Sequence, residues 1–233
     1  MKTTTAIICA FNEEKTITRI LTEIISVNFF DEIIVIDDGS TDRTGTLISE
    51  LRKHFSFKSV HFLENRGKGY AMARGVEMSN SEIIVFLDAD LTNFLKRHAN
   101  HLVAPIVSGR ADMVLGQPSE TLINRNINPF KIFTGQRAMR KADIFPLLER
   151  IRPSRFGVET IINLHFKSQQ KVVRQVILMG LEHPTKFEKT NLSQALKGFA
   201  HAFHQIMRSL AQNIDLVRGS ENSISKNEIT IKS

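Results

Sequence analysis

Two carboxylates stand one residue apart in Asp88-Ala89-Asp90, directly after the apolar run Ile83-Ile84-Val85-Phe86-Leu87. Acids this close repel unless a cation lies between or beside them. Hard oxygen ligands of this kind suit Mg²⁺ or Mn²⁺, with phosphate oxygens completing the shell. Ala89 is small and lets a ligand come close. The same spacing also serves solvated turns and helix caps, but its place after an apolar strand favours the metal reading. A second acidic segment is Asp37-Asp38-Gly39-Ser40-Thr41-Asp42. Ser40 or Thr41 is expected to cap a following helix. Capping needs one such residue, whereas the segment supplies three acids, which can accept bonds from ribose hydroxyls or a base N–H. A third segment, Asn65-Arg66-Gly67-Lys68-Gly69, sets two glycines around a lysine that can neutralise a phosphate. It lacks the spacing and terminal Ser/Thr of a Walker A loop.

The elements between these segments alternate in type. Thr4–Cys9, Glu32–Ile36, Ser59–Leu63, Glu82–Leu87 and Ala111–Gly116 read as strands. Asn12 is a candidate N-cap for a helix carrying Ile17, Ile20, Leu21, Ile24 and Ile25, with Glu13 and Glu14 in its first turn. Further helices are expected from Thr44 to His54 and from Asn65–Gly69 through Met78. Strand–helix repetition implies a mostly parallel sheet with helices on both faces. Ligands of such sheets bind beyond the carboxyl ends of the strands, where all the acidic segments fall. The second half is less regular. Thr121–Phe133 reads as a loop or broken helix, Thr134–Lys141 as a short basic segment, Gly157–Gln169 as a helix and Val172–Leu178 as a strand. Residues 191–218 carry an apolar stripe from Leu192 to Val217 and read as a long amphipathic helix.

Composition narrows the classes. The chain has 233 residues, 42% hydrophobic and 24% charged, which fits one folded α/β domain. No apolar run nears the roughly 20 residues of a membrane span, and no signal-peptide pattern opens the chain. A cytoplasmic protein is expected, with contact at the inner membrane face left open. The single cysteine, Cys9, sits in an apolar run and reads as a small buried hydrophobe. The net charge of +7 suits anionic partners. No zinc-ligand array and no nucleic-acid-binding signature is present, so no nucleic acid partner is expected.

The segments Ala10-Phe11-Asn12-Glu13-Glu14, Asp37–Asp42 with Thr44, Asn65–Gly69 and Asp88–Asp90, in this order, resemble the family 2 glycosyltransferases of the GT-A fold. The resemblance is close over residues 3–116. It implies a GT-A nucleotide-diphospho-sugar transferase fold and a donor site formed by Ala10, Phe11, Glu13, Asp38, Lys68, Asp88 and Ala89. Glu13 and Asp38 would contact the nucleoside, Asp88 ribose or metal, and Asp90 the metal on the sugar-nucleotide pyrophosphate. Thr134-Gly135-Gln136-Arg137 looks like the Ser/Thr-Gly-x-Arg segment of dolichol-phosphate mannosyltransferase-like enzymes. It implies that Gln136, Arg137 and Arg140 lie near phosphates of donor or acceptor. Glu159, in Phe156-Gly157-Val158-Glu159-Thr160, is a candidate base or orienting group for an acceptor. Gly157–Glu159 together with Gly180–His183 also looks like the glucosyl-3-phosphoglycerate synthases, which makes His183 a third candidate metal ligand beside Asp88 and Asp90. Asp90, Glu159 and Arg137 are thus the candidate catalytic residues.

Two positions depart from these patterns: Cys9 replaces the usual proline, and Thr92 replaces the glutamine of the dolichol-phosphate group. The expected activity is sugar transfer to a phosphorylated acceptor, first a polyprenyl phosphate and second a small phospho-acid such as 3-phosphoglycerate. A nucleotidyltransferase and a non-catalytic sugar-nucleotide-binding subunit are the rival classes. The expected layout is a catalytic domain over residues 1–190 and an amphipathic helix over 191–218. That helix would meet the domain, a second subunit or a membrane. Residues 219–233 are expected to form a flexible tail.

Overall fold

The computed structural model describes residues 2–118, 135–155 and 157–182. The expected loop at Thr121–Phe133, the helix over 191–218, the tail over 219–233, Thr134 and His183 lie outside the described residues. Seven strands form one sheet in the order β3-β2-β1-β4-β6-β5-β7. They are β1 (Thr4–Ala10), β2 (Glu32–Asp37), β3 (Lys58–His61), β4 (Ile83–Asp88), β5 (Met113–Pro118), β6 (Arg137–Arg140) and β7 (Val173–Leu178). All described pairings are parallel except those of β6, which runs antiparallel to both β4 and β5.

The central strands β1 and β4 are apolar on both faces because helices cover both. One core layer joins Ile8, Val35 and Val85 to Ile17, Ile20, Leu21 and Ile24 of α1 (Ile17–Ser26), Ile48 of α2 (Thr44–Leu51) and Leu102 of α4 (Lys96–Val107). The other joins Ile7, Ile34 and Ile84 to Met72 and Val76 of α3 (Lys68–Met78), Ile151 of α6 (Leu148–Ile151) and Ile162 of α7 (Val158–Ser168). The short α5 (Lys141–Ile144) follows β6 directly. Each fully buried Ile or Leu contributes about 1.5–3 kcal/mol relative to exposure, so these two layers set the register of the sheet.

Several local expectations are corrected. Asn12 is not an N-cap: it sits at φ 56, and α1 starts after Thr16, so Glu13 and Glu14 precede the helix instead of lying in its first turn. The Asn12 carboxamide oxygen instead accepts from the Thr41 N–H at 2.9 Å, while the Asn12 N–H donates to Ser40 Oγ at 2.9 Å. The loops after β1 and β2 are thereby tied together. Neither Ser40 nor Thr41 caps α2. Asp42 Oδ1 takes that part, accepting from the Thr44 N–H at 2.9 Å and from Thr44 Oγ1 at 2.6 Å. The basic segment at Thr134–Lys141 contains strand β6. Helix α4 had no counterpart in the sequence reading.

Candidate functional site

The chain runs outward from β1 through β2 to β3, then returns to place β4 on the other side of β1. This reversal splays the loops after β1, β2 and β4 apart and opens a crevice at the carboxyl ends of the strands. A cavity of about 640 Å³ lies there. Its walls include Phe11, Glu13, Asp38, Lys68, Asp88 and Asp90. Cys9, Ala10 and Ala89 form the floor where β1 meets β4, with Cys9 opposite Asp88 in the register.

Asp38 is almost fully buried, and both its oxygens are engaged. Oδ1 accepts from the Arg66 N–H at 2.8 Å; Oδ2 accepts from the Gly67 N–H at 2.9 Å and the Asn65 amide at 3.1 Å. Asp38 therefore clamps the Asn65–Gly67 loop to the end of β2. Burial pushes its pKa up against the lowering effect of these backbone bonds. Gly67 has φ 98, and a Cβ there would meet Arg155 Cγ at 2.8 Å. The loop turns at Gly67 and delivers Lys68 into the cavity at the head of α3.

Lys68 Nζ stands 3.0 Å from Asp88 Oδ1 and 2.8 Å from Glu159 Oε1. Burial opposes its charge, but the two carboxylates outweigh burial and raise its pKa. Glu159, in the first turn of α7, responds in the complementary way. Burial would raise its pKa, yet Lys68 and Arg137 hold it below the usual carboxylate range. Asp88 Oδ2 accepts from the Gln136 amide at 2.7 Å. Gly135 makes room for this arrangement: a Cβ there would fall 2.1 Å from Asp88 Oδ2. Cys9 is inert beside this cluster, its thiol pKa pushed by burial to about 12.

Arg137 is fully buried and does not line the cavity. Its guanidinium donates to the Glu159 carbonyl at 3.4 Å and to Asn163 Oδ1 at 3.3 Å. It braces the start of α7 from beneath, whereas the sequence reading put it against a phosphate. Arg140 departs further from expectation. It lies opposite Ile83, at the far end of the sheet, and pairs with Asp112 at 2.7 Å. It borders a smaller hollow of about 470 Å³ with Lys141 and Phe145. The antiparallel course of β6 separates Arg137 from Arg140 by about 10 Å along the sheet.

Arg155 is a cavity residue that the sequence reading missed. Its Nη1 donates to Asn65 Oδ1 at 3.3 Å and its Nη2 to the Asn65 carbonyl at 3.4 Å. No motif marks it, since it follows an irregular turn after α6. Its distance from Asn65 in sequence is 90 residues.

Asp88 and Asp90 open on one cavity, and their oxygen donors fit Mg²⁺ or Mn²⁺. Among the described residues no group of three or more His, Cys, Asp or Glu gathers as a ready-made cation site. Two carboxylates completed by phosphate oxygens is an ordinary arrangement for Mg²⁺. The segment before His183 is firmly held. His98 Nε2 and Arg97 Nη2 reach the Met179 carbonyl at 2.9 and 3.1 Å. Glu182 bridges Thr92 through backbone bonds of 3.0 and 3.1 Å, two residues beyond Asp90.

Residues 5–173 match the model of the glycosyl transferase family 2 domain. The chain belongs to that family. The fold is GT-A. A glucosyl-3-phosphoglycerate synthase from Mycobacterium tuberculosis, solved with Mn²⁺, uridine diphosphate and phosphoglyceric acid, superposes with a TM-score of 0.69 at 20% identity, covering 91% of this chain and 78% of that one. The same enzyme with Mn²⁺ and UDP-glucose gives 0.64 at 22% identity over 83% of this chain and 74% of that one. A poly-β-1,6-N-acetyl-D-glucosamine synthase from Staphylococcus epidermidis is 36% identical over 85 residues, which are 36% of this chain and 21% of the relative. The chain thus matches about a fifth of the length of such curated relatives. No described helix is long and apolar enough to cross a membrane.

Proposed function

We propose that this chain moves a sugar from a nucleoside diphosphate to a phosphorylated acceptor, with Mg²⁺ or Mn²⁺ held by Asp88 and Asp90. One observation carries this: Asp38, Lys68, Asp88, Asp90 and Glu159 line a single cavity at the strand ends of a family 2 domain. The clamped Asn65–Gly67 loop, with Glu13 and Phe11 across from it, shapes the nucleoside end. Asp88 and Asp90 form the diphosphate end. A divalent cation there supplies a Lewis acid that neutralises charge on the departing diphosphate. His183 is the proposed third ligand, supported by the Thr92–Glu182 bridge.

Glu159 is an ionised carboxylate committed to Lys68, which suits orientation better than proton abstraction. An acceptor phosphate needs no base, because it is already a nucleophile. Arg137 acts through Glu159 and Asn163. Among the described residues the cations lining the cavity are Lys68 and Arg155, so Arg155 takes the phosphate role expected first of Arg137 and then of Arg140. A polyprenyl phosphate is the first acceptor. The likeness to glucosyl-3-phosphoglycerate synthase over most of the chain supports a small phospho-acid as the second.

The test is incubation with UDP- and GDP-sugars and Mn²⁺, with polyprenyl phosphate in one arm and 3-phosphoglycerate in another. Acceptor-dependent release of nucleoside diphosphate is expected. Release of pyrophosphate would instead show nucleotidyl transfer, and binding without turnover would leave a sugar-nucleotide-binding subunit.

A further inference from the structure

The cavity carries its own cation at one of the carboxylates proposed for the metal. Lys68 meets Asp88 Oδ1, and Gln136 meets Asp88 Oδ2, so both oxygens of Asp88 have protein donors. A divalent cation on Asp88 has to share that carboxylate with the Lys68 ammonium, and like charges at such range repel. The stem of Lys68 is fixed, because it begins α3 behind the loop clamped by Asp38. Its head is a point charge on four rotatable carbons. Glu159, on an element separate from Asp88, is a second partner of that head, already paired with it at 2.8 Å beside the 3.0 Å pair with Asp88. An arriving diphosphate gives it a third.

We propose that Lys68 is a mobile internal counterion, shared by Asp88 and Glu159 until the nucleotide and metal bind, then drawn off Asp88 while Glu159 keeps its hold and aims it at the diphosphate. Metal and nucleotide binding are thereby coupled through one side chain. Glu159 is a positioning residue in this scheme, acting through Lys68. The scheme depends on the donor site proposed above, and it predicts binding behaviour that can be measured without turnover.

The experiment is titration of the full chain with Mn²⁺, alone and with UDP, followed by the signal of free Mn²⁺ in electron paramagnetic resonance. In the wild type, UDP is expected to tighten Mn²⁺ strongly. Lys68→Met is expected to bind Mn²⁺ alone about tenfold more tightly, and the extra tightening by UDP is expected to shrink by a similar factor. Lys68→Gln, which keeps a hydrogen-bond donor for the two carboxylates, guards against a folding defect in the methionine variant. The double variant Lys68→Met/Glu159→Gln keeps the net charge of the cavity and is expected to retain the tighter Mn²⁺ binding. A double variant that binds Mn²⁺ like the wild type overturns the proposal, since net field alone would then explain the single variant. So does an unchanged UDP effect in both Lys68 variants, or an absence of Mn²⁺ binding throughout. Failure of UDP to bind any variant sinks the donor assignment, while the arm with Mn²⁺ alone still decides the role of Lys68.

Discussion

The two ends of the sheet both carry ion-paired carboxylates and use them differently. At the amino ends of the parallel strands three carboxylates close gaps between neighbouring elements. Asp31 accepts from the Thr4 N–H at 2.7 Å. Glu32 accepts from Thr5 Oγ1 and the Asn80 N–H and pairs with Lys58. Asp112 accepts from the Val172 N–H at 2.8 Å and from Arg140. At the carboxyl ends, Asp88, Asp90 and Glu159 surround an open cavity, with the Lys68 ammonium between Asp88 and Glu159. Acids that stitch strands together contribute to stability. Acids that ring a cavity leave room for a ligand.

The largest expected effect breaks the carboxyl end alone. Asp90→Asn should lower metal-dependent donor turnover by about 10³-fold, the size of loss seen when one preorganised electrostatic partner is removed. Nucleoside diphosphate release checks this, with an unchanged melting temperature expected. Retained turnover would mean that this end is as structural as the other. Gly135→Ala comes next. Its Cβ would displace the Asp88 carboxylate, and a misplacement of about 1 Å costs on the order of 10²-fold in turnover.

At the opposite end the signature reverses. Asp112→Ala leaves the exposed Val172 N–H and the part-buried Arg140 to water and should cost about 0.5–1.5 kcal/mol in denaturant unfolding. Turnover per folded molecule should stay at the wild-type level. The smallest effect is a difference in titration. Burial would raise the Asp112 pKa, but the Val172 amide and Arg140 hold it below the usual value of about 3.9. Its ionised form therefore stabilises the fold above that value, and the contribution fades as pH falls through the lower folded pKa. Asp38 has the opposite sign. Its raised pKa means that the stabilising contribution belongs to the protonated form and is lost as pH rises through the folded value. Carboxyl-carbon nuclear magnetic resonance should place the Asp38 midpoint above about 3.9 and the Asp112 midpoint below it.

Much of the carboxyl end was legible in the residues themselves. Asp38, Asp88 and Asp90 follow apolar runs, and strand ends of a parallel sheet open on ligands for topological reasons. Lys68 was legible because the glycine that turns the loop sits beside it. Arg155 was not, because only the fold brings residues 90 apart into contact. Arg140 misled for a related reason. It stands three residues from Arg137, and a reading without strand direction puts both at one site. The antiparallel register places them at opposite ends and, by alternation, on opposite faces. Asn12 misled because a cap and a bridge between loops draw on the same side-chain chemistry.

The chain alone thus determined the features that local order controls: a strand–helix alternation, buried central strands and acids at the strand ends. These depend on the period of apolar residues and on the short reach of turn residues. The tertiary structure decided which charges share a cavity and which are spent in pairing. That choice depends on distances between elements far apart in sequence, where a few ångströms separate an ion pair from an open ligand.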